Sequence, residues 1–214
     1  GYAFQYTDKE GFVEHTEAAT YSGGGSISNV KVVKCPHEKI EKGTCAYCGK
    51  TGIKATIGST VYTDIAQAVE AWLANGGTLK LYADYTAATE KATWTIVSGE
   101  HSIDLNGHMM SVQGDGAFKP TNNMHLTVTD GTERGQIENI LLDGSQNGSF
   151  TLESGYVHNL KMTDGAVVTL KGGSVDKLDV QKNTAKTNLS IQGGSLGELN
   201  IEDWDEGMHV SATG

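Results

Sequence analysis

Arginine occurs once in these 214 residues, at Arg134, and 16 basic side chains face 26 acidic ones for a net charge of −10. Phosphate recognition needs clustered Lys and Arg, so nucleic acid is excluded as a partner, and an anionic membrane surface with it. No apolar run approaches the ~18 residues of a membrane span, and no basic, apolar, small-residue succession marks a signal peptide. Proline occurs twice, which excludes a proline-rich stalk. Cysteine occurs three times, all between residues 35 and 48. The chain opens at Gly1 without Met and reads as a piece of a longer polypeptide with flanking domains.

Glycine, in contrast, is abundant at 28 residues. Many tight turns between short strands favour an all-β coil or barrel over a helical bundle. One helix stands out. In "TDIAQAVEAWLANGG", Ile65, Ala68, Val69, Trp72 and Leu73 recur at i, i+3, i+4, i+7 and i+8, an apolar stripe at helical spacing. Thr63 or Asp64 can cap its start, and Gly76 or Gly77 can supply the left-handed stop.

Four later segments repeat: "LTVTDGTERGQIENILL" (126–142), "FTLESGYVHNLKM" (150–162), "VTLKGGSVDKLDV" (168–180) and "LSIQGGSLGELNI" (189–201). Val128, Leu152, Leu170 and Ile191 hold equivalent places, at intervals of 24, 18 and 21 residues; Ile140, Leu160, Leu178 and Leu199 do so in the second strand, at 20, 18 and 21. Strand periodicity repeated near 20 residues, without a leucine-rich-repeat consensus, predicts a parallel β-helix whose coils are stable only when stacked. "TLKLYA" (78–83), "TWTIV" (93–97) and "SIDLNGHMMSV" (102–112) extend it to about five or six coils. The helix, directly before the first coil, is expected to cap that otherwise open edge.

The expected organisation is a β-strand segment (1–34), a Cys/His element (35–50), a linker strand with the capping helix (51–77) and the solenoid (78–214). "GGSISNVKVV" (24–33), which follows the glycine run 23–25, echoes "GGSVDKLDV" (172–180) and "GGSLGELNI" (193–201). Residues 1–34 are accordingly either the end of a preceding solenoid or a strand pair packed beside the main coil.

The spacing Cys35-x-His37-x7-Cys45-x2-Cys48, followed by Gly49, provides two close pairs joined by a short loop. Two knuckles folded together are what tetrahedral Zn2+ requires, and thiolate with imidazole suits Zn2+ better than a hard cation. A disulfide with one thiol left over is the rival in a secreted protein. A thioredoxin-type pair would need a βαβ setting, which this segment lacks. Four protein ligands leave no open position, so the expected metal site is structural, and metal binding would organise a stretch with almost no core of its own.

The Cys-x-His pair, the lysine-rich loop, "GTCAYCG", "YTDIAQAV" and "GGTLKLYADYT" together resemble recurring units in large secreted and cell-wall-anchored surface proteins of Gram-positive gut and oral bacteria. "IDLNG" (103–107) is similar to the turn typical of their coils. The resemblance covers residues 35–112 by motif and the later coils by periodicity. It implies an extracellular module with a right-handed β-helix, of the kind found within adhesins or multidomain enzymes that target glycans or host proteins. It implies no activity for this segment.

Candidate catalytic residues are weak. Gly193-x-Ser195-x-Gly197 fits a nucleophile elbow, but no helix follows it. Asp104, Asp130, Asp143, Asp164, Asp176 and Asp179 sit mostly at turns, where Asp bonds its own backbone. A lone arginine disfavours a lyase of acidic glycans. "EDWDE" (202–206) gathers Glu202, Asp203, Asp205 and Glu206 around Trp204, a Ca2+ or sugar candidate that more simply reads as the solvated end of the solenoid. His15, His101, His108, His125, His158 and His209 lack ligand spacing and read as surface or turn residues, while Tyr156 and His158 can line a binding face. The expected function is a non-catalytic spacing, adhesion or display module, with a glycan or a host surface protein as partner. The alternatives are a β-helix carbohydrate-active enzyme or an accessory domain of a larger secreted protease or glycosidase.

Overall fold

Strict alternation of apolar and polar residues over four to eight positions makes strands with one wet face and one dry face. The computed structural model describes residues 2–7, 14–17, 28–96, 100–121, 123–143, 148–163, 165–181, 187–202 and 209–213. The glycine run 23–25, Asp164 and the group Asp203, Trp204, Asp205 and Glu206 lie outside them.

Strands β1 (Tyr2–Thr7), β2 (Glu14–Glu17) and β3 (Ser28–Lys34) form an antiparallel sheet with β1 in the middle. Two-residue strands β4 (Ile40–Glu41) and β5 (Thr44–Cys45) make a small hairpin, and β6 (Ala55–Ile57) with β7 (Thr60–Tyr62) makes another. Helix α1 (Ile65–Asn75) follows. The Asp64 carboxylate caps it by accepting from the Ala66 N–H at 2.9 Å, and Gly76 and Gly77 end it with φ of 73° and 90°.

The remaining chain winds back and forth between two sheets. A long sheet carries β8 (Gly77–Leu81), β11 (His101–Asp104), β14 (His125–Thr129), β16 (Ser149–Leu152), β18 (Val167–Leu170), β20 (Asn188–Ile191) and β22 (His209–Ala212). A second sheet carries β9 (Tyr85–Ala87), β12 (Met109–Val112), β15 (Gln136–Asp143), β17 (Tyr156–Thr163), β19 (Ser174–Val180) and β21 (Ser195–Ile201). All neighbours in these runs are parallel, giving a β-solenoid of about six turns. The expected ladders form: Val128 lies beside Leu152, Leu152 beside Leu170, and Leu170 beside Ile191. Ile140, Leu160, Leu178 and Leu199 stack likewise in the second sheet.

The early coils are longer and hold a third pair of parallel strands, β10 (Thr93–Thr95) and β13 (Lys119–Thr121). Behind them lies an aromatic slab. Trp94 stacks on Phe118 at 4.4 Å between ring centres, and Trp72 of α1 meets Trp94 edge-on at 5.5 Å. Ile65, Ala68, Val69 and Trp72 join the solenoid core, so the apolar stripe of α1 covers the interior of the first turn. The long sheet itself ends in antiparallel pairing, β8 with β6 and β6 with β7.

The later corners from the long sheet to the second sheet are tight. Leu152 to Val157, Leu170 to Val175, and Ile191 to Leu196 are each five residues apart. Gly155, Gly173 and Gly194 occupy one corner column with φ of 94°, 70° and 79°. A Cβ on Gly173 would lie 2.5 Å from the Gly155 carbonyl oxygen, and one on Gly194 2.4 Å from that of Gly173. Only glycine fits where stacked turns approach this closely.

Candidate metal centre

The three cysteines and His37 converge. Their ligand atoms (three Sγ and one ring nitrogen) all lie within 4.8 Å of one another, with Cys35, His37 and Cys45 buried and Cys48 half-buried. Cys35 follows β3 directly, and the chain then bends through His37, whose φ is 53°. The β4–β5 hairpin delivers Cys45 on a two-residue turn, Lys42 and Gly43, with φ of 48° and 70°. Paired positive φ values suit the twist of a short hairpin. Gly43 has a second reason to be glycine, because a Cβ there would stand 2.9 Å from the Ile53 carbonyl oxygen.

Two backbone loops cradle sulfur in the same manner. The His37 N–H bonds the Cys35 sulfur and the Lys50 N–H bonds that of Cys48, in each case two residues along. After Cys45 the chain closes on itself, with the Gly49 N–H donating to the Cys45 carbonyl at 2.9 Å, and Gly49 has φ of 69°. The Cys35 and Cys45 sulfurs are 3.5 Å apart. Around a tetrahedral ion at about 2.3 Å, sulfurs stand about 3.8 Å apart, so the spacing is near what a shared ion would set.

His37 supplies the decisive detail. Its Nδ1 lies 2.9 Å from the Ser59 carbonyl oxygen, which can only accept, so Nδ1 carries the proton. Nε2 is therefore a bare lone pair, and it is buried without a hydrogen-bond partner beside the three sulfurs. A buried acceptor left this way costs about 1–3 kcal/mol unless something fills it. The arrangement matches the outer-sphere bond that fixes a metal-ligating imidazole.

The thiols are free of disulfides. Burial pushes the Cys35 thiol up to about 12. Burial also acts against ionisation of Cys48, but the Lys50 N–H and the neighbouring thiols of Cys35 and Cys45 outweigh it and hold Cys48 below the ordinary 9.0. Cations remove this conflict by favouring the thiolates together. Cys35, His37, Cys45 and Cys48 can thus hold a metal ion. Around them Cys35, Cys45 and Ile53 form a small core of their own, flanked by Val33, Ile40, Val61 and Tyr82.

The other candidate residues serve the solenoid. Ser195 opens β21, and its hydroxyl donates to Ser174 Oγ at 2.8 Å in a ladder between turns. Asp104 pairs with Lys80 at 2.8 Å and accepts from the Asn106 N–H. Asp130 is almost fully buried and accepts from the backbone N–H groups of Gly107, Arg134 and Gly135 at 2.7–2.8 Å and from the Thr132 hydroxyl. Asp179 bonds Lys177 and Asn200. Tyr156 and His158 meet edge-on at 4.7 Å, and Asp176 accepts from the Tyr156 hydroxyl and lies 3.4 Å from His158 Nδ1. One expectation is corrected. His101 is 3% exposed rather than a surface residue, because its ring lies edge-on to Trp72 at 5.2 Å and fills the seam under α1.

A groove of about 530 Å3, missed in the sequence, runs along the second sheet. It is lined among others by Asp115, Glu138, Asn139, Asn159, Lys161 and Asp179, and its floor is an amide ladder in which Asn159 donates to Asn139 and Asn139 to the Gly116 carbonyl. Side chains of alternating strand positions brought together by stacking leave no linear motif to read.

Compared with described protein families, curated proteins and solved structures, the chain matches none. No helix among the described residues is long and apolar enough to cross a membrane.

Proposed function

We propose that this chain is a non-catalytic structural and interaction module of a secreted or cell-surface protein, in which one structural Zn2+ clasps the N-terminal strands to a right-handed parallel β-helix. The observation that carries the metal is the buried, unpartnered His37 Nε2 among three sulfurs. Sulfur-rich donors favour zinc over hard cations, and four protein donors leave no open position for substrate or water. The clasp sits between β3 and the β6–β7 hairpin, with Val33 of the one and Val61 of the other packed against the same small core. An extracellular setting is supported by the likeness of residues 35–112 to surface-protein units.

Glycan is the proposed partner of the groove. Amide and carboxylate side chains can bond sugar hydroxyls, and Asn159, Glu138 and Asp179 line the groove. Metal analysis of protein purified without chelator tests the central claim. One zinc per chain is expected, and a Co2+-substituted sample should show the intense absorption of tetrahedral thiolate ligation. Protein that contains no stoichiometric metal, and binds none when zinc is supplied, overturns it. Localisation is tested separately by protease shaving of intact cells, which should release the module if it is displayed outside.

A further inference from the structure

Acidic side chains outnumber basic ones by 26 to 16, so a lysine of this chain has carboxylates to spare. Most of the described lysines of the solenoid take one. Lys80 pairs with Asp104 at 2.8 Å, Lys91 with Glu70 at 3.0 Å, Lys171 with Glu153 at 2.9 Å and Lys177 with Asp179 at 3.2 Å. Lys119 and Lys161 form no ion pair among the described residues, and both line the groove along the second sheet.

These two lysines stand in one row. Phe118 lies beside Ile140 of β15, which sets Lys119 of β13 alongside Leu141, and Leu141 is in register with Lys161 of β17. Phe118 and Ile140 are buried, so the residues that follow them face outward. Lys119 and Lys161 therefore flank Leu141, their backbones two strand spacings or about 10 Å apart. The adjoining outward row is the amide ladder, Asn139 in register with Asn159. Asp179 is in register with Lys161 on the next strand, but Lys177 and the Asn200 amide already hold it, at 3.2 and 3.0 Å. Asp115 and Glu138 also line the groove without an ion pair among the described residues, which the acidic excess makes commonplace. Two unclaimed lysines side by side are the feature that the excess does not explain.

We propose that the groove takes an acidic glycan, with a sugar carboxylate or sulfate held by the Lys119 and Lys161 ammonium groups; this rests on the glycan reading of the groove and names the class of glycan. The flexible four-carbon stems of the two lysines can converge above Leu141, where the C–H face of the anionic ring rests. The Asn139 and Asn159 amides in the next row then bond hydroxyls of an adjoining ring. A neutral glycan would use the amides and leave both ammonium groups idle. Nucleic acid is a poor occupant, since two lysines and no arginine line the groove and phosphate chains need many more cations. The net charge of −10 does not bar a sugar anion, because distant carboxylates are screened beyond about 8 Å at physiological salt while the two lysines act in contact.

Titration calorimetry of the full chain tests this with a hexasaccharide of alternating glucuronate and N-acetylglucosamine, and with its methyl ester, which keeps the hydroxyls and loses the charge. The acid should bind about tenfold more tightly than the ester, as two exposed ion pairs allow. Lys119→Gln and Lys161→Gln should each weaken the acid about threefold and leave the ester unchanged, while Lys171→Gln, on the long sheet, should change neither. Circular dichroism and melting check that the variants fold. The side-chain amide signals of Asn139 and Asn159 in NMR spectra should shift with either sugar, which places binding in the groove. A chito-oligosaccharide with and without sulfate separates the two anions: a lysine-dependent gain for the uronate alone assigns carboxylate, and one for the sulfated sugar alone assigns sulfate. Charged and uncharged sugars that bind alike, or lysine variants that keep the full preference, would overturn the acidic class and leave the glycan reading standing. If no sugar, charged or neutral, moves the two amide signals, both readings fall.

Discussion

His37 donates its Nδ1 proton to the carbonyl of Ser59 at 2.9 Å, and through this bond the Cys/His element is tied to the hairpin turn at the head of the long sheet. Removing the proposed ion should therefore loosen the front of the molecule and leave the coils intact. With chelator present, hydrogen exchange should accelerate in β3, β4 and β5 and stay slow in β14 to β19. Cys45→Ser should reproduce this pattern. Loss of protection throughout the coils would show that front and solenoid fold as one unit.

Cys48 is half-buried and its thiol lies below the ordinary value, whereas Cys35 is buried and raised. Thiolate is the reactive form. In metal-free protein near neutral pH, iodoacetamide should label Cys48 first and Cys35 last, as mapped by peptide mass spectrometry. The metal-loaded protein should resist labelling at all three.

Asp130 closes the turn after β14 by accepting three backbone N–H groups, one of them from Gly107 in the turn below. Burial pushes its carboxyl up, but the N–H groups of Gly135, Gly107 and Arg134 and the Thr132 hydroxyl prevail and hold it below 3.8. A lowered folded pKa means that the unfolded chain takes up the proton first. The stabilisation is thus complete well above pH 3.8 and fades as pH falls through the lowered folded value. Asp130→Ala leaves those donors buried and unmet and should cost about 3 kcal/mol in urea unfolding at pH 7. At acid pH the gap between wild type and variant should narrow.

Gly114 and Gly173 both have positive φ, 61° and 70°, but a Cβ at Gly114 meets nothing within 4 Å, whereas at Gly173 it meets stacked backbone. Gly114→Ala should cost about 1 kcal/mol, the conformational term alone. Gly173→Ala should cost several times more, because main chain rather than a side chain has to move. Equal losses in thermal melts would refute the close stacking.

Trp72 and Trp94 are both fully buried, but only Trp72 has a hydrogen-bond acceptor for its indole, the Gly77 carbonyl at 2.9 Å. Trp94 Nε1 has no partner. Changing each to Phe removes similar volume. Trp72→Phe should be the more damaging by about 1 kcal/mol, since Trp94→Phe also removes an unmet donor.

Much of the solenoid was legible because its signal is local and repeated. Val128, Leu152, Leu170 and Ile191 mark one inward column without any knowledge of the rest, and the stripe from Ile65 to Leu73 marks the helix. The convergence of Cys35, His37, Cys45 and Cys48 could be read from spacing, since each pair spans a single turn. What escaped depends on neighbours one coil away. His101 looked polar and solvated because nothing in "GEHSIDL" reveals Trp72 above it. Short β7 carries too few residues to show a period, and the β10–β13 pair emerges only from the length of the early coils. The Asp130 carboxylate reaches back 23 positions to Gly107, and the bare Nε2 of His37 is visible only once Ser59 is seen to claim Nδ1.

The glycine column at Gly155, Gly173 and Gly194 has an evolutionary corollary. One flank of the helix is held to a fixed five-residue crossing, so its later windings can lengthen only on the return path, where the chain passes from the second sheet back to the long one. Insertions there leave the glycine column untouched. In these later windings new length is added on one wall while the opposite wall keeps the windings in step.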